Sequence, residues 1–84
     1  DLGFAMSNEE KLKNILADLF EVDASGVTDE TSQDNVERWD SMGMVSLVSE
    51  IENAFGVEFD LLEVSMLRNV KLIKELLKEK GVDF

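Results

Sequence analysis

Leu12, Ile15, Leu16, Leu19 and Phe20 recur at i, i+3, i+4, i+7 and i+8, the spacing of one buried face of an α-helix. The same period returns in Met44, Leu47, Val48, Ile51 and Phe55, and again in Val70, Ile73, Leu76 and Leu77. No two segments read as strands able to pair. A chain of 84 residues holds one small core, so single apolar stripes of this kind must close on one another as a helical bundle.

The punctuation agrees with the period. Ser7 and Glu10 have the spacing of a capping box, and the helix they open is expected to end near Glu21, with Lys11, Lys13, Asn14 and Asp18 facing outward. A second helix is expected from Ser41 to Phe55, stopped by Gly56. After an extended Val57, Glu58 and Phe59, Asp60 and Glu63 form another capping box over a short helix, which is expected to carry Leu62 and Met66 inward. Asn69 caps the last helix, closed by Lys78, Lys80 and Gly81. Between the first two helices, Val22 to Asp40 is rich in Ser, Thr, Asp and Asn and has no period. Loops beyond about 12–15 residues are uncommon in compact domains and call for a reason. Val27, Val36 and Trp39 are expected to pin this one to the core. Residues 1–6, which reach a methionine only at Met6, are taken as an N-terminal extension left by expression or processing, residues 7–81 as the domain, and residues 82–84 as a tail.

Composition removes whole classes of function. Cysteine and histidine are both absent, so there is no disulfide, no thiolate nucleophile, no ordinary zinc site and no Ser–His couple. A serine in such a chain has no evident base, and autonomous catalysis lacks support. Asp and Glu number 19 against 8 Lys and Arg, a net charge of −11. Lys71, Lys74, Lys78 and Lys80 alternate with Glu75 and Glu79, which makes no basic stripe for a nucleic acid. The acidic surface fits a basic patch on a partner protein, or serves only as solvation. No run of about 18 apolar residues spans a membrane, and a cytoplasmic monomer is expected. A calcium loop from Asp23 to Asp34 fails on spacing, because Val27 and Thr28 fall where a ligand and a glycine belong and Asp34 closes it in place of Glu.

Trp39, Asp40, Ser41, Met42 and Gly43 stand where the long loop becomes the second helix. A hydroxyl there lies at or beside unpaired backbone N–H groups and the positive end of the helix dipole, so a phosphate ester on Ser41 is favoured by roughly 0.3–1 kcal/mol when exposed. The competing reading is that Ser41 merely caps the helix.

Asp40, Ser41 and Met42 resemble the Asp-Ser-Leu attachment motif of the acyl carrier protein family, and the similarity runs from about Ser7 to Leu77. The resemblance implies an all-α fold, a small three-to-four-helix bundle of the acyl-carrier type with a long loop between the first and second helices. It implies that Ser41 carries a covalent 4'-phosphopantetheine arm, that Asp40 helps the phosphopantetheinyl transferase and its magnesium ion, and that the second helix recognises partners through Met42, Met44, Val45, Glu50 and Glu52. Those partners would be enzymes that load or use acyl or aminoacyl groups, held as thioesters on the arm. A carrier of this kind needs neither Cys nor His, because the cofactor supplies the sulfur.

Departures from the family's pattern bear on cargo. Housekeeping fatty-acid carriers are acidic along the recognition helix, whereas Gly43, Met44, Ser46 and Ser49 occupy much of it here. A specialised stand-alone carrier is therefore expected, with a more apolar docking face. Asp40, Ser41, Met42 and Gly43 also resemble the D-alanyl carriers, which keeps an aminoacyl cargo open. An interaction module that keeps the fold and never takes the arm is the other alternative.

Overall fold

Side-chain caps open every helix in the computed structural model, which describes residues 7–84; the expected N-terminal extension, residues 1–6, lies outside them. Helix α1 runs Asn8–Phe20 behind the complete Ser7–Glu10 capping box. Helix α2 runs Ser41–Phe55, α3 Leu61–Val64 and α4 Val70–Glu79, capped by Asp40, Asp60 and Asn69 respectively. Each cap oxygen takes a first-turn N–H that the helix itself cannot satisfy. The ends are as local as the beginnings. Gly56 terminates α2 in the left-handed conformation at φ 66°, and Glu21 ends α1 the same way at φ 57°, a conformation a β-carbon disfavours.

The three long helices bury the faces their spacing marks out. Leu12, Leu16 and Phe20 of α1 meet Leu47 and Ile51 of α2 and Val70, Ile73, Leu76 and Leu77 of α4 in one core. Ile15, Leu19, Met44, Val48 and Phe55 are partly buried around it. Val82 packs against the same core, and the Asn8 Nδ2 donates to the Asp83 carbonyl at 2.9 Å, so the chain end folds back toward the start of α1.

The long connection from 21 to 40 is ordered by both burial and hydrogen bonds. Val27, Val36 and Trp39 are buried, as the sequence predicts, and a 3-10 turn, Ala24–Gly26, is capped by Asp23. The loop also closes the start of α4: the Val70 N–H donates to the Thr31 carbonyl at 2.9 Å and the Lys71 N–H to the Asp29 carbonyl at 3.1 Å. With the Asn69 side chain taking the Leu72 N–H at 2.8 Å, the first turn of α4 is satisfied throughout. An isolated antiparallel bridge joins Ser32 to Asn69, and no strands form among the described residues.

The short helix departs from the sequence expectation. Leu62 and Met66 point outward, 73% and 46% exposed, and Leu67 enters the core in their place. A single turn has no stripe long enough to choose its own face. Its rotation follows the Asp60–Glu63 capping box and the Lys80–Glu63 ion pair at 3.0 Å, which hold the Glu63 side of the turn against the body.

Lys74 ties three segments together, with its Nζ 2.7 Å from Asp29 Oδ1 on the loop and 3.0 Å from Glu9 Oε2 on α1. The bonds from Lys74 lower the pKa of both carboxyls. Burial opposes the charge on Lys74, but its bonds to Asp29 and Glu9 outweigh that and raise its pKa. Lowered carboxyl pKa values stabilise the fold above the unfolded carboxyl range of about 4, and that stability is lost as pH falls through the folded values. The raised lysine pKa adds stability below about 10.4, lost as pH rises through the folded value. Lys74→Met is therefore expected to lower stability by about 0.5–1 kcal/mol near pH 7. In urea titrations the gap between variant and wild type should narrow toward pH 3, and a gap independent of pH would show that the ion pairs contribute nothing.

Candidate functional site

The chain reaches α2 through Trp39, which is buried and stacked on Phe20 of α1 with ring centroids 5.4 Å apart. That stack holds the loop end against α1, and the next residue caps the helix. Asp40 Oδ1 accepts the Gly43 N–H at 2.8 Å, while the Asp40 carbonyl accepts the Met44 N–H at 2.8 Å. Capping thus falls to Asp40. Ser41 occupies the first helical position, exposed, and no described residue bonds its hydroxyl. The N–H groups of Ser41 and Met42 precede the first intrahelical acceptor and face the positive end of the dipole.

Gly43 makes this geometry possible. A β-carbon at that position would overlap the Arg38 carbonyl oxygen and come within 3.0 Å of the Phe20 ring. Glycine inside a helix costs about 0.5–1 kcal/mol relative to alanine, and here the close approach of helix to loop requires it. This packing role of Gly43 goes beyond what the sequence analysis assigns to it. The available signal was a glycine in the first turn of a helix, where alanine is the better helix former.

The remaining residues singled out from the sequence divide by exposure. Met42 and Val45 stand out from α2, 81% and 70% exposed, and Glu50 is exposed as well. Met44 is half-buried against the core. Glu52 is half-buried with Oε2 accepting the Phe59 N–H at 2.8 Å, so it also fastens the link after α2. Beside Ser41 lies a shallow depression of about 260 Å³ lined by Leu19, Phe20, Arg38, Asp40, Met42, Gly43 and Ser46. The Arg38 guanidinium on its rim pairs with Glu21 at 2.9 Å.

A small helical body that displays an unengaged serine hydroxyl at the start of a central helix has the architecture of a carrier domain. Comparison with known proteins gives the family. Residues 10–77 match the family model for the phosphopantetheine attachment site. The acyl carrier protein of Lactobacillus acidophilus is 35% identical over 68 residues, covering 77% of this chain and 85% of that protein. The acyl carrier protein of Coprothermobacter proteolyticus is 30% identical over 69 residues, covering 82% and 84%. The chain belongs to the acyl carrier protein family, the phosphopantetheine-dependent carriers, and its cofactor is a covalently attached 4'-phosphopantetheine. The first turn of α2 fits such a group, with an exposed hydroxyl for a phosphodiester and two backbone donors without intrahelical acceptors.

The cap and the glycine are separable by mutation. Asp40→Ala should cost about 1 kcal/mol of stability while Asp40→Asn, which keeps an acceptor, should cost only a few tenths. Gly43→Ala should destabilise by about 1–3 kcal/mol in spite of the better helix propensity of alanine, because the β-carbon has nowhere to go. Thermal or urea unfolding reads both; a neutral Gly43→Ala would mean that the loop yields freely at Arg38.

Proposed function

We propose that Ser41 is the attachment residue and that the protein carries acyl-type intermediates as thioesters on the arm, serving a specialised biosynthetic pathway. The observation that carries this reading is the division of labour at the start of α2: Asp40 supplies the cap, which leaves the Ser41 hydroxyl exposed and free to react. Ser41 also lies inside the matched region 10–77.

In the proposed modification, Ser41 Oγ forms a bond to phosphorus of coenzyme A as the adenine nucleotide departs. The serine proton leaves to a base on the phosphopantetheinyl transferase, as no described residue bonds the Ser41 hydroxyl to receive it. Asp40 keeps one carboxylate oxygen on the Gly43 N–H, and the other would be available to the transferase's magnesium ion. The arm supplies the thiol, and the protein supplies position and recognition. The protein is acted on by partner enzymes rather than being a catalyst itself, and works as a cytoplasmic monomer.

Partner docking is assigned to the exposed face of α2, with Met42, Val45 and Glu50 outermost and Met44 and Glu52 at its base. Gly43, Met44, Ser46 and Ser49 along this helix support a specialised carrier, since they leave the docking face less acidic than that of a housekeeping carrier. Methionine suits such a surface because it repacks readily.

Intact mass after incubation with coenzyme A, magnesium and a broad-specificity transferase tests the attachment. Wild type should gain one phosphopantetheinyl group, Ser41→Ala none, and Asp40→Asn should gain it more slowly while remaining folded. A folded wild-type protein that gains nothing would be an interaction module without the arm.

A further inference from the structure

The chain sets 8 basic side chains against 19 acidic ones, and the one basic residue lining the depression beside Ser41 is Arg38. Its place is fixed from two sides. The Arg38 carbonyl lies where a β-carbon on Gly43 would stand, in the first turn of α2, and the guanidinium Nη1 is 2.9 Å from Oε2 of Glu21, the C-cap of α1. Arg38 is therefore held where the end of α1 meets the start of α2, three residues before Ser41. Three residues span at most about 10 Å when fully extended, a distance that an arginine side chain and a phosphate ester bridge between them. The Arg38 side chain is 59% exposed, and the Glu21 pair is the only one it makes among the described residues. An ion pair this exposed contributes little, so Glu21 does not hold the guanidinium against a stronger competitor.

A phosphodiester on Ser41 is such a competitor. It puts a negative charge one residue from Asp40, whose carboxylate cannot swing away because Oδ1 is engaged by the Gly43 N–H at 2.8 Å. Like charges this close repel, in a chain whose net charge is already −11. The backbone donors of the first turn offset part of that repulsion, but they carry only partial charge. We infer that the Arg38 guanidinium is the counter-ion of the arm, turning on loading from Glu21 to the non-bridging oxygens of the Ser41 phosphodiester. The inference rests on the assignment of Ser41 as the attachment residue. A guanidinium suits the task, since its planar fork of five donors matches two phosphate oxygens at once and keeps its charge at any working pH. Glu21 is the resting partner, which keeps the cation beside the site before the arm arrives. Arg38 is thus a positioning residue: held at its phosphate, the arm leaves α2 on the side where α1 ends.

The chain contains two arginines, Arg38 and Arg68, so two guanidinium Nε–H resonances report on loading. Arg68 lines a separate depression with Asp29 and Lys71 and serves as the internal control. Both resonances would be recorded for the apo protein and for protein loaded from coenzyme A, each state verified by intact mass. Loading should shift the Arg38 resonance and slow its exchange with water roughly two- to fivefold, the equivalent of an exposed ion pair, while Arg68 stays as it was. The ³¹P resonance of the phosphodiester should move in Arg38→Gln, and move part of the way in Arg38→Lys, which keeps the charge and loses the fork. Glu21→Gln separates this role from a purely structural one. Removing the rival carboxylate should enlarge the loading shift at Arg38; an arginine that only braces α1 against the loop would show no such gain.

An Arg38 resonance identical in the apo and mass-verified loaded protein overturns the inference, as does an equal change at Arg68 or a ³¹P resonance indifferent to Arg38→Gln. The first comparison needs wild-type protein alone, so it stands even if a variant fails to fold. A folded protein that gains no mass is a different failure, since it removes Ser41 as the attachment residue and the inference with it.

Discussion

The Phe20–Trp39 stack is the contact on which the start of α2 depends. It closes a 20-residue excursion from 21 to 40 onto the helix that the excursion left, so the chain arrives at Asp40 with a defined direction. Everything at the start of α2 follows from that arrival. Gly43 can nest against the Arg38 carbonyl only if the loop end is held there, and the Asp40 cap then forms at the right distance. The consequence is a serine whose exposure is set by its neighbours rather than by its own bonds.

A second constraint acts on the loop from the opposite side. The Thr31 and Asp29 carbonyls cap α4, and Lys74 returns from α4 to the Asp29 carboxylate and to Glu9 of α1. Loop, first helix and last helix are therefore coupled through backbone donors and one partly buried lysine. A loop of this length exposes many backbone groups, and they have to be satisfied somewhere. Here most of that satisfaction is internal to the loop, and the Thr31 and Asp29 carbonyls that accept from α4 fasten the segment to the folded body.

Much of the fold was legible because its determinants are local. Cap residues, the apolar stripes and the terminating Gly56 act within about one helical turn of where they stand in the chain. Val27, Val36 and Trp39 were legible for a related reason: an isolated large apolar residue in polar surroundings has few places to go but inward. The short α3 was misread at Leu62 and Met66 because one turn has no moment of its own, and a pair with Lys80, far along the chain, sets its rotation. Gly43 was visible as a residue and not as a contact, since its neighbour is a backbone carbonyl whose position only the folded loop defines.

Read alone, the residues define an all-helical body with neither histidine nor cysteine, and an Asp-Ser pair where a loop meets a helix. Those are statements about residue type and short spacing, which a single chain carries in plain order. Only the folded chain shows which of Asp40 and Ser41 caps the helix, which side chains of α2 are exposed, and that Trp39 is buried. Each of these depends on atoms brought together from distant positions, and packing, not local preference, settles where such atoms meet.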